Sequence, residues 1–410
     1  MKINIFTFFL ILLFCLCFLT GCDNSDGVET KAYVIALGVD KGIVNKFKLS
    51  LQVAILSGSS ESSGSDSGSS SEPSTVLSVE CSSIDSGINL INSYISKKIN
   101  LSHCKVIIFS EELAKNGISD LIFNLSSNIE IRPRCHVLIS RCNAVDFLKQ
   151  SSPIFESNPA NYYERIFNSS EYSGYVENTY LYNFYDDLLS TTSEADAILC
   201  GINTDSTHDQ AHLNTGSLDG NYKADETPIE SKNKAEIIGT AVFSDDKLVG
   251  ELDNIETMCH LIITNELKNT IITIPNPYTY DTNISIFIGL NKNTKSTVSF
   301  VNGYPFIECN VDVIGDVLSM EQSINLNDIN TVNLLNSYVS TYLEDALNSY
   351  LYKTSKEFKS DINDFGKYAL PKYSTWNDWI DSDWLNNYQN AFFKVTVNTN
   401  IQDGYLFTKI

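Results

Sequence analysis

The stretch Val106–Leu148 opens VIIFSEELAKNGISDLIF and closes HVLISRCNAVDFL. Val106 to Phe109 is an apolar run of strand length. Ser110-Glu111-Glu112 then starts a helix, with Ser110 as candidate N-cap and acids in the first turn. Asn116-Gly117 breaks that helix, and Ile118 to Leu125 begins another. His136 to Ser140 reads as the next strand and Ala144 to Leu148 as the next helix. Strands alternating with helices predict an α/β sheet domain.

Upstream, Tyr33 to Val39 reads as a strand and Asp40-Lys41-Gly42 as a turn. Phe47, Leu49, Leu51, Val53 and Ile55 alternate as a half-buried second strand should, completing a hairpin. Ser57 to Ser74 is almost wholly Ser, Gly, Glu and Asp, so it has nothing with which to build a core and is expected to be a mobile loop. A Gly/Ser coil of this length spans about 20–25 Å, which suits a surface excursion between two strands. A strand should resume at Val76 to Val79. Ile84, Ile88, Ile91, Ile95 and Ile99 recur at helical spacing, with Lys97 and Lys98 placed at the C-terminal end of that helix.

Downstream, periodicity fades from Ser169 to Lys234. Tyr180 to Leu189 is compatible with a helix, and Gly201 to Lys234 is polar enough for a linker or long loop. Ile237–Phe243 and Leu248–Gly250 flank the acidic turn Ser244-Asp245-Asp246-Lys247, and a helix should follow over Asn254–Leu267. Strands are expected at Ile271–Ile274, Ile284–Leu290, Ser296–Val301 and Phe306–Val317. Val332, Leu335, Val339, Tyr342, Ala346 and Tyr350 fall on one face of a long helix between Asp328 and Phe358, long enough to cross a whole sheet. The chain closes with Trp376, Trp379 and Trp384, then an alternating strand Phe393, Val395, Val397, Thr399, Ile401 before Gln402-Asp403-Gly404. The expected class is mixed α/β (α+β) with about three domains, allotted from chain length at ~150 residues each. They are an N-terminal α/β domain over 22–200, a polar linker over 201–234, a middle mixed domain over 235–302 and a C-terminal α/β domain over 303–410.

The first 21 residues read differently. Lys2 precedes an apolar run from Ile3 to Thr20, the order of an export signal, and the run stops at Leu19-Thr20-Gly21-Cys22 ahead of Asp23-Asn24-Ser25-Asp26-Gly27. This resembles a bacterial lipobox, in which the cysteine thiol takes a diacylglycerol and the chain is cut just before it. The alternative is an uncleaved anchor of about 18 residues, near the lower limit for spanning a bilayer. The 410-residue chain carries 28 basic and 50 acidic side chains, a net charge of −22. Nucleic acids and anionic headgroups repel such a surface, so a nucleic-acid partner is excluded and a lipid must supply any membrane attachment. Apart from Cys15, Cys17 and Cys22, the cysteines are Cys81, Cys104, Cys135, Cys142, Cys200, Cys259 and Cys309. An odd, scattered set without a C-x-x-C pair favours buried free thiols, with one or two bridges left open.

No phosphate-binding glycine loop, serine-nucleophile elbow or H-E-x-x-H is present. His208 and His212 have helical metal-ligand spacing but lie in a polar, Gly-flanked stretch better read as solvated loop. His103-Cys104, Cys135-His136 and Cys259-His260 are neighbours that a strand would point to opposite faces, so a buried thiol beside a satisfied imidazole is the simpler reading. Asp245-Asp246 suits a turn, Glu111-Glu112 a helix start, and Asp186-Asp187 needs no acid–base role in so acidic a chain. The tryptophans could form a stacking platform for a sugar, but packing against the long helix is favoured, since an indole brings a large apolar area with one donor. No catalytic residue, metal or cofactor is expected, and Cys22 is the sole site, as a lipidation site.

Several ordered stretches resemble the Ger(x)C lipoproteins, the C subunits of spore germinant receptors. YVIALGVDKG matches that family's apolar strand ending in Gly-x-Asp, and SHCKVIIFSEELAKNGI its His-x-Lys-Val strand and following helix. EIRPRCHVLIS, GTAVFSDDKLVGELDNIET and DINDFGKY follow in order, then Pro371, Trp376, Trp384 and VTVNTNIQDG. The stretches 57–74 and 201–234 depart from the pattern, between matched blocks. The resemblance implies a non-enzymatic, lipid-anchored subunit on the extracytoplasmic face of the spore inner membrane. It would work beside a larger A subunit and a transporter-like B subunit in the response to small germinants. Two rival expectations are a lipoprotein that delivers a solute to a transporter, which needs a polar cleft, and a hydrolase of spore-wall material, which needs converging carboxylates or a nucleophile–base pair.

Overall fold

A computed structural model describes residues 27–55, 73–156, 158–204, 220–278, 282–321, 326 and 328–402. The lipobox-like segment, most of the Ser/Gly stretch 57–74, and His208 and His212 lie outside them.

Nine strands form the larger sheet: β1 (Lys31–Lys41), β2 (Phe47–Ala54), β3 (Ser74–Cys81), β4 (Lys98–Asn100), β5 (Val106–Ser110), β6 (His136–Ser140), β7 (Asp196–Ile202), β8 (Ala235–Ser244) and β9 (Lys247–Leu252). The order is β3-β2-β1-β5-β6-β7-β8-β9, with β4 beside the start of β1. β1, β5, β6 and β7 run parallel, and antiparallel hairpins flank them on both sides. Every residue of β5 and β6 is buried, because helices cover both faces of this parallel centre. Successive side chains alternate between two cores: Ile107, Phe109, Val137 and Ile139 enter one, and Val106, Ile108 and Leu138 the other.

The helices of this half are α1 (Ile84–Tyr94), α2 (Glu111–Ala114), α3 (Ser119–Ser126), α4 (Ala144–Gln150), α5 (Pro159–Ile166) and α6 (Leu181–Leu188). A Ser83/Ser86 capping box starts α1. The helix stops at Tyr94, short of the Ile84–Ile99 periodicity: Ile95 is extended, and Ile99 sits in β4 with its N–H on Asn92 Oδ1 at 2.8 Å. Lys97 and Lys98 therefore do not end α1; Lys98 pairs with β1 instead. Ser110 precedes α2 but makes no side-chain cap bond.

The Gly-x-Asp of β1 has a packing and capping role. A Cβ on Gly38 would lie 3.0 Å from Ala144 Cβ and 3.1 Å from Leu148 Cδ1, so a larger residue would make α4 give by a few tenths of an ångström. Asp40 is buried and accepts the N–H groups of Ala144 (2.6 Å) and Val145 (3.1 Å), supplying the cap that Asn143 does not.

The smaller sheet runs β10 (Asn269–Pro275), β11 (Asn283–Val301), β12 (Tyr304–Met320) and β13 (Phe392–Gln402), with β13 parallel to β12 and the other pairs antiparallel. The two strands expected at 284–290 and 296–301 are one strand, β11, whose register against β12 shifts between Leu290 and Lys295. α7 (Asn254–Thr264) joins the sheets, opened by an Asp253/Glu256 capping box and closed by left-handed Asn265. α8 (Ile329–Tyr352) starts at an Asp328 cap and continues as a π-helical turn over Lys353–Phe358, covering the span read from the sequence. Its buried row is Leu335, Val339, Leu343, Leu347 and Tyr350, with Tyr342 and Ala346 at the flank. Short helices α9 (Phe365–Ala369), α10 (Trp376–Asp381) and α11 (Trp384–Asn387) then bring the chain to β13.

Sheet membership cuts across the expected segments. β8 and β9 complete the larger sheet although they follow 201–234, and residues 302–303 are the turn of the β11–β12 hairpin. The described part of the polar segment is pinned to the larger sheet by Arg141. Its guanidinium donates to Ala224 O (2.8 Å) and Glu226 (2.8 Å), pairs with Asp225, and lies 3.5 Å from Glu251.

Candidate functional site

The residues singled out by sequence fall into three groups. The first is structural. Trp379 and Trp384 are buried and stack with centroids 6.1 Å apart, whereas Trp376 is 59% exposed, so the three do not form one platform. Trp379 Nε1 donates to Thr191 Oγ1 at 2.9 Å. Trp384 Nε1 donates to Asp361 Oδ2 at 2.8 Å. Fully buried Asp361 also accepts the N–H groups of Asn363 (3.2 Å), Phe365 (3.3 Å) and Gly366 (3.0 Å). It thus organises the whole DINDFG turn, and burial pushes its carboxyl up to about 7. Asp246, in the β8–β9 turn, accepts from Ser119 Oγ at the start of α3 at 2.8 Å, and Glu111 and Glu112 pair with Lys115 and Lys41 at the surface.

Among the thiols and imidazoles, all seven described cysteines are free, and all but Cys142 are buried. Cys104 and Cys135 meet, Sγ to Sγ at 3.8 Å. Their histidine neighbours diverge. His103 lies at the surface edge-on to Tyr33, while His136 is buried against Phe167 (3.9 Å) and Tyr180 (4.5 Å), its pKa lowered to about 4 by desolvation. Cys259 and His260 lie on α7 rather than on a strand; Cys259 joins the core of the smaller sheet, and His260 turns into a polar cavity.

That cavity, about 160 Å³, lies where the two sheets meet. The strand-like segment before α6 contributes Glu177, Asn178 and Thr179; α6 contributes Asp187; β7 and its approach contribute Glu194 and Asp196. From the other side come His260, Glu266, Asp364 and Lys367. His260 Nδ1 lies 2.9 Å from Tyr350 Oη, which in turn donates to Asn363 Oδ1 at 2.7 Å. His260 Nε2 faces Asp196 Oδ2 at 3.2 Å, and Thr179 Oγ1 lies against Glu177 Oε1 and, at 3.2 Å, Asp196 Oδ1. Glu177 Oε2 is buried without a hydrogen-bond partner among the described residues.

Crowded acids in a dry site hold protons. Burial raises Asp196, Asp187 and Glu194 to about 7, with the Asp364 charge adding to the shift of Asp187. Glu177 goes well above the ordinary range through burial and then the charge of Asp196; Glu266 is raised by burial and the Glu177 charge. Sequence spacing gave no sign of this cluster, whose members come from five separated segments. The available clue was a histidine on a helix face otherwise carrying Met258, Leu261 and Ile262, an imidazole that must find a buried partner. Carboxylates do converge here, as a wall-degrading hydrolase would require. The space is nevertheless well below the ~300 Å³ at which small-molecule pockets begin, and it offers no room for a glycan.

Comparison with known proteins places the whole architecture. The family described as "Spore germination protein N-terminal domain" matches residues 24–204, and "Spore germination B3/GerAC like, C-terminal" matches 238–404. Spore germination protein KC of Bacillus subtilis (strain 168) is 22% identical over 380 residues, covering 90% of this chain and 88% of that protein. Spore germination protein GerQC of Bacillus cereus is 18% identical over 386 residues, covering 94% and 95%. The crystal structure of the GerBC protein superposes with a TM-score of 0.52 at 16% identity, over 89% of this chain and 96% of that one, a likeness of fold. With both matches in order over nearly all of the chain past Cys22, the chain belongs to the GerAC-like family of spore germination proteins.

Proposed function

We propose that this chain is the lipid-anchored C subunit of a spore germinant receptor, assembled with membrane-embedded A and B subunits at the spore inner membrane. Members of the family are non-enzymatic receptor subunits. The observation that carries the reading is positional: the family match begins at residue 24, immediately after Leu19-Thr20-Gly21-Cys22 ends the apolar run. A diacylglycerol on Cys22 would hold the ectodomain durably, since two chains exceed the marginal binding of one. Among the described residues no helix is long and apolar enough to cross a membrane.

The test is Cys22→Ala in the native host. The expected result is an unprocessed precursor that takes up no labelled palmitate and a spore that responds poorly to nutrients. A variant still cut at the same site and acylated would end the anchor reading. Normal germination of a deletion strain with every germinant tried would end the receptor reading. Direct binding of an amino acid, sugar or nucleoside by the purified chain, with germination intact in its absence, would favour solute delivery instead.

A further inference from the structure

We propose that Glu177, Asp196 and His260 hold one divalent cation of the Zn²⁺ or Mn²⁺ class at the junction of the two sheets. One oxygen of each carboxylate and one imidazole nitrogen lie within 4.8 Å of one another. Tetrahedral bonds of about 2.0–2.2 Å set neighbouring ligand atoms roughly 3.3–3.6 Å apart, so closure on an ion asks a shift of up to about 1 Å, within reach of a carboxylate rotation.

Hydrogen bonding sets the imidazole for this task. The Tyr350 hydroxyl proton goes to Asn363 Oδ1, so the lone pairs of Tyr350 Oη face His260 Nδ1, which must carry the ring proton. A neutral ring then turns the Nε2 lone pair to Asp196 Oδ2, 3.2 Å away, whereas an imidazolium would donate to it. Two acceptors facing each other need a proton or a cation between them. An imidazole whose second nitrogen donates to an oriented partner is the usual arrangement of a metal-binding histidine.

The independent observation is Glu177. It is 4% exposed, lines the same cavity, and leaves Oε2 with no hydrogen-bond partner among the described residues. The Glu177 carboxyl also lies within hydrogen-bond reach of the Asp196 carboxyl, and two buried carboxyls this close must share a proton or a cation. Asp187, Glu194, Glu266 and Asp364 place further carboxyl groups around the site, against which the described lining sets Lys367 as its one lysine or arginine. A volume of about 160 Å³ accommodates an ion and a few waters at ~30 Å³ each. One imidazole with two carboxylates suits Zn²⁺ or Mn²⁺, whereas Ca²⁺ and Mg²⁺ favour oxygen alone.

The consequence is a bridge between halves. Glu177 and Asp196 lie in the segment matched by the N-terminal family and His260 in that matched by the C-terminal one. An ion bound only by the folded chain stabilises the junction by mass action.

The experiment uses the full chain in detergent, stripped with EDTA, then titrated with ZnCl₂ and with MnCl₂ while heat and melting temperature are followed. The expected result is one site per chain and a raised melting temperature reversed by EDTA. Glu177→Gln keeps the side-chain shape and should weaken binding by roughly tenfold or more, with an unchanged near-ultraviolet spectrum showing that it folds. His208→Gln/His212→Gln should bind as the parent does. Absence of a metal-dependent shift, equal binding by folded Glu177→Gln, loss of binding in the His208/His212 variant, or preference for Ca²⁺ over Zn²⁺ and Mn²⁺ would each overturn the assignment.

Discussion

At the residue scale, the acidic positions that matter most serve as buried acceptors. Asp361 takes four donors, so Asp361→Ala strands three backbone N–H groups and the Trp384 indole. Unfolding midpoints in urea should report a loss of about 3 kcal/mol or more, since each stranded donor costs ~1–3. Asp40→Ala removes the acceptor for two N–H groups at the start of α4 and should cost ~1–2 kcal/mol in the same assay. Glu194 shows the reverse side of burial. Its folded-state pKa is raised to about 7 from 4.5, so its stabilising contribution is complete below pH 4.5 and is lost as pH rises through about 7. Glu194→Gln should therefore gain melting temperature relative to the parent as pH rises from about 5 to 8. A difference that is flat or shrinks over that range would disprove this account.

At the element scale, the helices and hairpins follow local rules until a long-range partner outbids them. α8 is nearly as the spacing predicts, because a helix of its length repeats its apolar row many times. Leu343 is fully buried in that row, and Leu343→Ala should cost ~2–5 kcal/mol by denaturant melting. α1 is shorter than its isoleucine spacing implies. Ile99 satisfies the same periodicity, but strand pairing of Lys98–Asn100 with β1 and the Asn92 side chain capture that segment. β11 is longer than expected because the polar Asn291–Lys295 region, which looks like a loop locally, is carried by pairing with β12.

At the scale of the molecule, the two sheets share one polar junction, and the 201–234 segment is held to the larger sheet. Arg141 does much of that holding, facing Asp225, Glu226 and Glu251. Arg141→Ala removes the cation that faces Asp225 and Glu226 and leaves Glu251 with Lys223 alone, 3.3 Å away. It should lower stability by ~1.5–3 kcal/mol and speed amide exchange over Asn221–Glu226 while leaving β5 and β6 protected, as hydrogen-exchange mass spectrometry would show.

The sequence alone determined the mixed α/β class, the long helix, the acidic hairpin turn, the lipobox-like run and the ordered blocks by which the family is legible. These depend on spacing within a few turns or strands, where side-chain periodicity acts directly on the backbone. Only the tertiary structure decided that β8 and β9 close the larger sheet, that Cys104 meets Cys135, and that Trp376 stays outside the core. The cavity of Glu177, Asp196 and His260 belongs to this second kind. His260 and Tyr350, which orients it, are 90 residues apart, and no local pattern encodes a contact between them. It exists because packing the two sheets together leaves a gap that the apolar cores do not fill, and polar side chains from five segments share it.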